Sequence, residues 1–96
     1  MLKCCGHEFA TTDVAPKSFD SAKYAGKMVQ EALVTVEGGP LRFTVHGEEP
    51  DDATKLGHLL QDGAVFRVYG PDIDNFRYQQ SGAVAASVNV SYFNNA

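Results

Sequence analysis

The chain has 96 residues, of which 44% are hydrophobic and 21% charged, and its eight Lys and Arg against twelve Asp and Glu leave a net charge of −4. This length gives room for one domain with one modest core, and the ordinary balance of residue types excludes a wholly disordered chain. The lack of a basic cluster argues against a nucleic-acid partner, and the lack of an apolar run of about 18 residues argues against a membrane-spanning helix.

Residues 1–30 show no sustained hydrophobic period and are predicted to form an extended N-terminal arm. Residues 1–8 lack the apolar segment of a secretory signal. Pro16 disfavours helix at the residue before it, and Gly26 weakens the single helical turn that residues 21–28 could form. Ordering each residue costs about 1–2 kcal/mol, and this arm has few apolar side chains to offset that cost. We therefore expect a neighbouring subunit or a larger assembly to hold the arm in place.

The pattern changes at Glu31, where a period of two residues begins. Residues 31–37 and 41–46 each alternate between apolar side chains and others, which is the period of a β-strand. Gly38-Gly39-Pro40 separates the two runs and breaks the alternation. This arrangement predicts a β-hairpin.

The second half of the chain contains further strand and turn signals. Residues 47–52 are predicted to form a polar loop, and residues 54–60 an irregular edge segment or a short turn rather than a helix. A turn at residues 61–63 precedes a strand over residues 64–69, because Gly accepts the positive φ that such turns need. Residues 84–93 show the clearest alternation in the sequence, which predicts one buried and one polar face.

Five or six short strands with frequent turns predict an all-β fold, a small antiparallel β-sandwich or barrel. The predicted organisation is an extended N-terminal arm over residues 1–30 and a β-sandwich body over residues 31–96. The predicted core consists of apolar residues from one face of each strand: Val34, Val36, Leu41, Phe43, Val45, Phe66, Val68, Phe76, Val88 and Val90.

Several polar residues are candidates for metal ligands or catalysts. Cys4 and Cys5 are adjacent, so they do not staple the fold, and together with His7 they lack the spacing of a zinc site. His46 precedes an acidic loop, but this loop lacks the ordered oxygens and the central Gly of a calcium loop. His58 stands among apolar neighbours, where a structural histidine is the commoner case. We therefore assign no catalytic, cofactor-binding or metal-binding residue.

The aromatic residues raise the alternative of a carbohydrate-binding domain. An exposed pair such as Tyr69 with Tyr78 could stack on a sugar, although the chain has no Trp. Aromatic residues on strands more often belong to a core or to a subunit interface. The ring-bearing candidates are Tyr69, Phe76, Tyr78, Tyr92 and Phe93.

Four segments together resemble a family of small virion proteins of tailed bacteriophages and prophages. These segments are LRFTVHGEEP at 41–50, GHLLQDG at 57–63, NFR at 75–77 and SVNVSYF at 87–93. They are similar to the patterns R-F/Y-T-x-D-G-x-x-P, G-x-x-L-x-x-G, N-F-R/K and L-N-V-T-Y-F. The resemblance covers residues 31–93, and His46 stands where the family pattern usually has Asp.

The resemblance implies a non-enzymatic structural part of a phage particle. The expected role is a capsid decoration (cement) protein, made in the host cytoplasm and located in the virion, with a neck or tail component as the alternative. The expected partners are the major capsid protein or other virion proteins. Further copies of the chain are also expected, a trimer being one arrangement that suits a capsid. No catalytic residue comes with the resemblance.

Overall fold

A computed structural model describes residues 1–95, which form eight strands and two short helical turns. The helical parts are one 3₁₀ turn, Ser21–Lys23, and one four-residue helix. The elements in chain order are β1 Lys3–Thr11, β2 Lys17–Ser18, β3 Glu31–Glu37, β4 Leu41–Thr44, β5 His58–Leu60, β6 Val65–Tyr69, α1 Asp72–Asn75, β7 Arg77–Gln80 and β8 Ser87–Asn94.

The strands form two four-stranded antiparallel sheets that pack face to face. Sheet A has the strand order β1-β8-β3-β6, and sheet B has the order β2-β7-β4-β5. This architecture confirms the predicted all-β antiparallel sandwich. The predicted strands at residues 64–69 and 84–93 are present as β6 and β8, and the predicted edge segment contains β5, an edge strand of sheet B.

The core lies between the sheets and is built around stacked aromatic rings. The ring of Phe76 stacks on Phe19 at 4.6 Å and on Phe43 at 5.3 Å, and Phe43 stacks on Phe66 at 5.1 Å across the two sheets. The aliphatic part of the core comes from strand alternation, because every second residue of β3 and β8 points inward. The predicted core residues that are fully buried are Val34, Val36, Leu41, Val68, Phe76, Val88 and Val90, whereas Phe43, Val45 and Phe66 are half-buried against them.

The predicted hairpin of residues 31–37 and 41–46 is wrong, because the two strands belong to different sheets. Both edges of β3 are already paired, one with β8 and the other with β6, so β4 cannot join it. β4 instead pairs with β5 and β7 in sheet B. Gly38, with φ of +94°, turns the chain from one sheet to the other.

The first thirty residues belong to the sandwich and do not form a separate arm. β1 is extended, as predicted, but it pairs with β8 from Lys3 opposite Asn94 to Thr11 opposite Ser87. Phe19 is 2% exposed and lies within the same core as residues 31–95. Two sources of order lie within the chain and cannot be read from its composition: the pairing of β1 with β8 and the burial of the Phe19 ring. The boundary predicted at residue 30 therefore falls inside one structural unit.

A buried carboxylate fixes the N-terminal segment to sheet A. Glu8, 8% exposed, accepts hydrogen bonds from the Tyr92 hydroxyl at 2.6 Å and from the Asp20 backbone N–H at 3.0 Å. Burial, and then the hydrogen bond to Glu8, raise the pKa of Tyr92 well above its usual range. Burial also raises the pKa of Tyr78 to about 12.

None of the helices within residues 1–95 has the length and apolar character needed to cross a bilayer.

Candidate functional site

The outer face of sheet A, called the open face below, is not covered by any other segment of residues 1–95 and exposes several large apolar side chains. Residues of β3 whose side chains point inward are fully buried, whereas Leu33 and Thr35 between them are half-exposed. The same alternation holds in β8, where Asn89 and Ser91 are half-exposed. The open face comprises His7, Phe9, Glu31, Leu33, Thr35, Val65, Arg67, Tyr69, Asn89, Ser91 and Phe93.

Apolar side chains are prominent on the open face. Phe9 is 62% exposed, Val65 63% and Tyr69 59%, although all three lie on strands. Leu33 and Phe93 are half-buried and lie on the two central strands. Isolated exposed apolar residues are ordinary, but several on one flat element are typical of an interaction surface.

Register places the most exposed apolar residues on the two edge strands, and the polar residues Asn89, Ser91 and Thr35 form a polar strip on the central strands beside Leu33 and Phe93. Phe9 faces Asn89, Asn89 faces Thr35 and Thr35 faces Val65, so one row crosses all four strands. In the next row, His7 contacts two neighbours on β8. Its Nδ1 lies 3.1 Å from Ser91 Oγ and its Nε2 lies 3.2 Å from Asn89 Oδ1.

Two neutral side chains of β8 hold His7 on the open face. The amide oxygen of Asn89 is an acceptor only, so Nε2–H donates to it. The Ser91 hydroxyl pairs with Nδ1. The imidazole is therefore fixed to β8 at both of its nitrogens.

An ion pair stiffens the other side of the open face. Arg67 Nη1 lies 3.3 Å from Glu31 Oε2, and the Glu31 side chain is only 12% exposed. Register places Glu31 between Phe93 and Tyr69, whose rings flank the carboxylate. The apolar residues of this face are therefore arranged around a neutralised pair rather than a free charge.

The outer face of sheet B is covered, in contrast to the open face. The loop between β4 and β5 folds over it, and Asp52 fixes that loop by accepting from Ser81 Oγ at 2.7 Å, Arg42 Nε at 3.1 Å and the Gly82 N–H at 3.1 Å. These bonds, the one from Ser81 first, lower the pKa of Asp52 to about 2. This face presents the exposed carboxylates Glu48 and Glu49.

The structure does not bring the suspected metal ligands together. Among residues 1–95, no three His, Cys, Asp or Glu side chains converge on a point where a metal ion could bind. Cys4 is exposed, and its thiol donates to the Gly6 carbonyl at 3.5 Å, while His7 is occupied by β8. His46 Nε2 lies 3.4 Å from Glu48 Oε1, and His58 packs its ring against Phe43.

The exposed aromatic pair suggested for sugar stacking is also wrong. Tyr69 is exposed, but Tyr78 is 1% exposed because its side chain points between the sheets. Phe76 and Tyr92 are buried as well. The sequence could not separate these roles, because aromatic residues favour strands on either face.

A cleft of about 360 Å³ lies between the 3₁₀ turn and α1. Tyr24 donates from its hydroxyl to Asp74 at 2.7 Å on the wall of this cleft. Burial and then this hydrogen bond raise the pKa of Tyr24 to about 12. Asp74, the carboxylate of the lining, is thus engaged by the phenol.

Comparison with known proteins gives a distant structural likeness to this chain. No protein-family model matches the chain, and no curated protein matches it. Among solved structures, an HTH_3 family transcriptional regulator from Vibrio cholerae is similar over 95% of this chain and 45% of its own, with 13% identity and a TM-score of 0.48. The chain therefore spans less than half the length of that regulator, and a likeness this distant says nothing about function.

Proposed function

We propose that this chain is a non-enzymatic structural protein of a phage particle, which binds the capsid as a decoration or cement protein through its open face. The single observation that carries the proposal is the open face itself. Phe9, Val65 and Tyr69 remain more than half exposed on a flat, rigid sheet. The virion setting comes from the resemblance of residues 31–93 to small phage structural proteins.

The chemistry of the open face suits a protein partner. An interface core favours aromatic and aliphatic side chains, with charges either paired or placed at the rim. The open face has this composition, because Arg67 is paired with Glu31 and the remaining polar groups, such as Asn89, are neutral. Its polar strip can exchange hydrogen bonds with a partner without burying an unpaired charge.

The two outer surfaces of the sandwich differ in a way that suits attachment to a shell. The open face exposes apolar side chains beside a polar strip and a neutralised ion pair, while the covered face opposite carries Glu48 and Glu49. Docking through the open face would turn the acidic loop away from the shell. Like charges on the outward surface of many copies would then keep particles from associating with one another.

The partners proposed are the major capsid protein and further copies of this chain, with location in the virion after synthesis in the host cytoplasm. A neck or tail location would use the same open face against a different neighbour. The burial of Tyr78 removes the aromatic pair on which the carbohydrate-binding alternative depended. The proposed virion role therefore has more support than sugar binding.

The test is particle association by a variant that alters only the open face. Phe9→Lys with Leu33→Lys places two charges on this face, and Val14→Lys with Val84→Lys is the matched control, since Val14 and Val84 are 70% and 57% exposed outside the sheets. Virions from a strain carrying each version are banded on a density gradient and probed for the chain. We expect the native chain and the control to band with virions and the open-face variant to remain at the top.

Two results would contradict the proposal. The first is a native chain that is absent from banded virions of the strain that encodes it. The second is an open-face variant that bands as fully as the control. Circular dichroism of both variants checks that each is folded, so that loss of banding reports loss of contact.

A further inference from the structure

The free edge of β6 exposes main-chain groups that have no partner in residues 1–95. Ladder bonds join Val36 N to Ala64 O at 3.0 Å and Gly70 N to Gln30 O at 2.9 Å. In an antiparallel pair, the residues that bond the neighbouring strand alternate with those that do not. The even-numbered residues of β6 therefore bond β3, and Val65, Arg67 and Tyr69 direct their N–H and C=O groups away from the sheet.

The opposite edge of sheet A is protected by lysines, which makes the exposure of β6 specific. The backbone bond from Thr12 N to Ala86 O shows by the same alternation that His7, Phe9 and Thr11 of β1 direct their main-chain groups outward, and a bulge between Cys4 and Gly6 shifts the register before them. Lys17 Nζ donates to the carbonyl of Thr11 at 2.7 Å, and Lys27 Nζ donates to that of Cys5 at 3.2 Å. Lysines on an edge strand are a common barrier to strand addition. In the part of the chain that the structure describes, no lysine donates to a carbonyl of β6.

From this contrast, we propose that β6 is a dimerisation strand, which pairs antiparallel with β6 of a second copy and joins the two A sheets into one. A two-fold axis makes each contact occur twice, as in the commonest class of homodimer. This inference is independent of the virion role, because a capsid-binding chain could be monomeric and a dimer could lack a capsid partner.

Side-chain chemistry selects the register of the pair. A pairing centred on Arg67 would set two guanidinium groups directly opposite each other, which is unfavourable. A shift of two residues places Arg67 opposite Tyr69 of the second copy, and Tyr69 opposite the second copy's Arg67. Both side chains lie on the open face, where a guanidinium can stack on a phenol ring. The occupant is thus a second copy, because β6 supplies both members of this complementary pair.

The surroundings of β6 also suit a second copy. β5, the edge strand of sheet B, lies on the same side of the sandwich, as the stacking of Phe43 on Phe66 indicates. Leu59 of β5 is 44% exposed and Val65 of β6 is 63% exposed. These side chains would be partly covered when the two sandwiches meet side by side, which adds apolar contact to the main-chain hydrogen bonds.

The experiment is sedimentation velocity on the full chain over a range of concentrations. It compares the native chain with a variant in which a proline in β6 prevents pairing at this edge. Arg67→Pro removes one outward N–H but no bond to β3, and Pro is tolerated at such edge positions. Arg67→Thr is the matched control, because it loses the same ion pair with Glu31 while keeping the N–H and a strand-forming residue. We expect the native chain and the control to dimerise, and Arg67→Pro to bind itself at least about tenfold more weakly.

Two outcomes of that experiment would overturn the proposal. One is a native chain that stays monomeric at concentrations on the order of 100 µM, well above a typical micromolar dissociation constant. The other is an Arg67→Pro variant that is folded and dimerises like the Arg67→Thr control.

Substitutions at Tyr69 test the proposal without disturbing the backbone. In the shifted register, Tyr69→Lys places a cation opposite Arg67 of the second copy and should weaken the dimer. Tyr69→Glu places an anion there, so its dimer should be about tenfold or more tighter than that of Tyr69→Lys at low salt, with the difference shrinking as salt rises. Equal dimerisation by the two variants would refute the proposed register.

Discussion

At the scale of single residues, burial is decided by neighbours that are distant in sequence. Arg42 alternates with apolar residues in β4 and therefore points away from the core, yet it is 7% exposed. The reason is the loop above it, where Asp52 accepts from its Nε and the Gly57 carbonyl accepts from its Nη1 at 3.0 Å. A buried guanidinium needs such partners, because an unpaired buried charge is costly.

The lowered pKa of Asp52 predicts an acid-sensitive contribution to stability. Because the folded state holds the pKa at about 2 instead of 3.8, this contribution is present above the ordinary value and is lost as pH falls through about 2. Urea unfolding measured between pH 5 and pH 2 should therefore show a shallower loss of unfolding free energy in Asp52→Asn than in the native chain. Glu49→Gln, which removes an exposed carboxylate, serves as the control. If the unfolding free energy falls equally between pH 5 and pH 2 in Asp52→Asn and in the native chain, the stabilising role of the Asp52 carboxylate is contradicted.

Burial also ranks the aromatic residues of the core by their contribution to stability. Phe76 is 1% exposed and stacks on both Phe19 and Phe43, so Phe76→Ala should lower the unfolding free energy by about 3–5 kcal/mol. Phe43 is half-buried, and Phe43→Ala should cost less. Chemical denaturation of the two variants measures the difference. A smaller loss of unfolding free energy for Phe76→Ala than for Phe43→Ala would contradict the central place of Phe76 in the ring stack.

At the scale of elements, the strands are tied together by connections that cross between the sheets. β1 and β2 are consecutive in the chain but lie in different sheets, and the same holds for β3 and β4. Each crossing leaves a strand free to pair with one from another part of the sequence, as β8 does with both β1 and β3. The N-terminal segment therefore contributes to both layers.

Removal of the N-terminal segment should abolish the fold. A chain lacking residues 1–28 would lose β1, expose one whole edge of β8 and open a cavity at the position of Phe19. We expect this truncation to be insoluble or to show no cooperative thermal unfolding. Circular dichroism with a temperature ramp is the measurement. A soluble truncated chain with a melting temperature near that of the full chain would show that residues 31–96 fold on their own.

At the scale of the whole molecule, the sandwich has three distinct outward surfaces. These are the apolar open face of sheet A, the acidic loop that covers sheet B, and the side on which β5 and β6 expose their edges. The proposals above give the first surface to the capsid and the third to a second copy. The two surfaces adjoin along β6, whose side chains belong to the open face and whose outward main-chain groups form the edge.

This division predicts a footprint on the assembled particle. Hydroxyl-radical labelling of virion-bound chain should protect Phe9, on the open face, relative to free chain. Met28, 86% exposed and outside all three surfaces, should remain reactive and serve as the internal control. Mass spectrometry of the digested chain gives the ratio. Protection of Met28 with full reactivity of Phe9 would reverse the proposed orientation.

Part of the candidate site was visible in the sequence. Alternation in residues 84–93 predicts that Asn89 and Ser91 share the face opposite Val88 and Val90, as they do. Phe9 gave no such signal, because nothing in residues 1–30 has a strand period and its exposure depends on pairing with β8. The ion pair of Arg67 with Glu31 likewise needs the β3–β6 register to be known.

The sequence by itself determined the class of fold and the face on which most strand residues lie, because a period of two is a local property of the chain. Only the tertiary structure decided which strands are neighbours, that β3 and β4 part between two sheets, and that the N-terminal segment completes the core. Alternation states which side chains point the same way, but it carries no information about the strand alongside. That choice depends on competition among all strands for the same edges, which is a property of the folded chain as a whole.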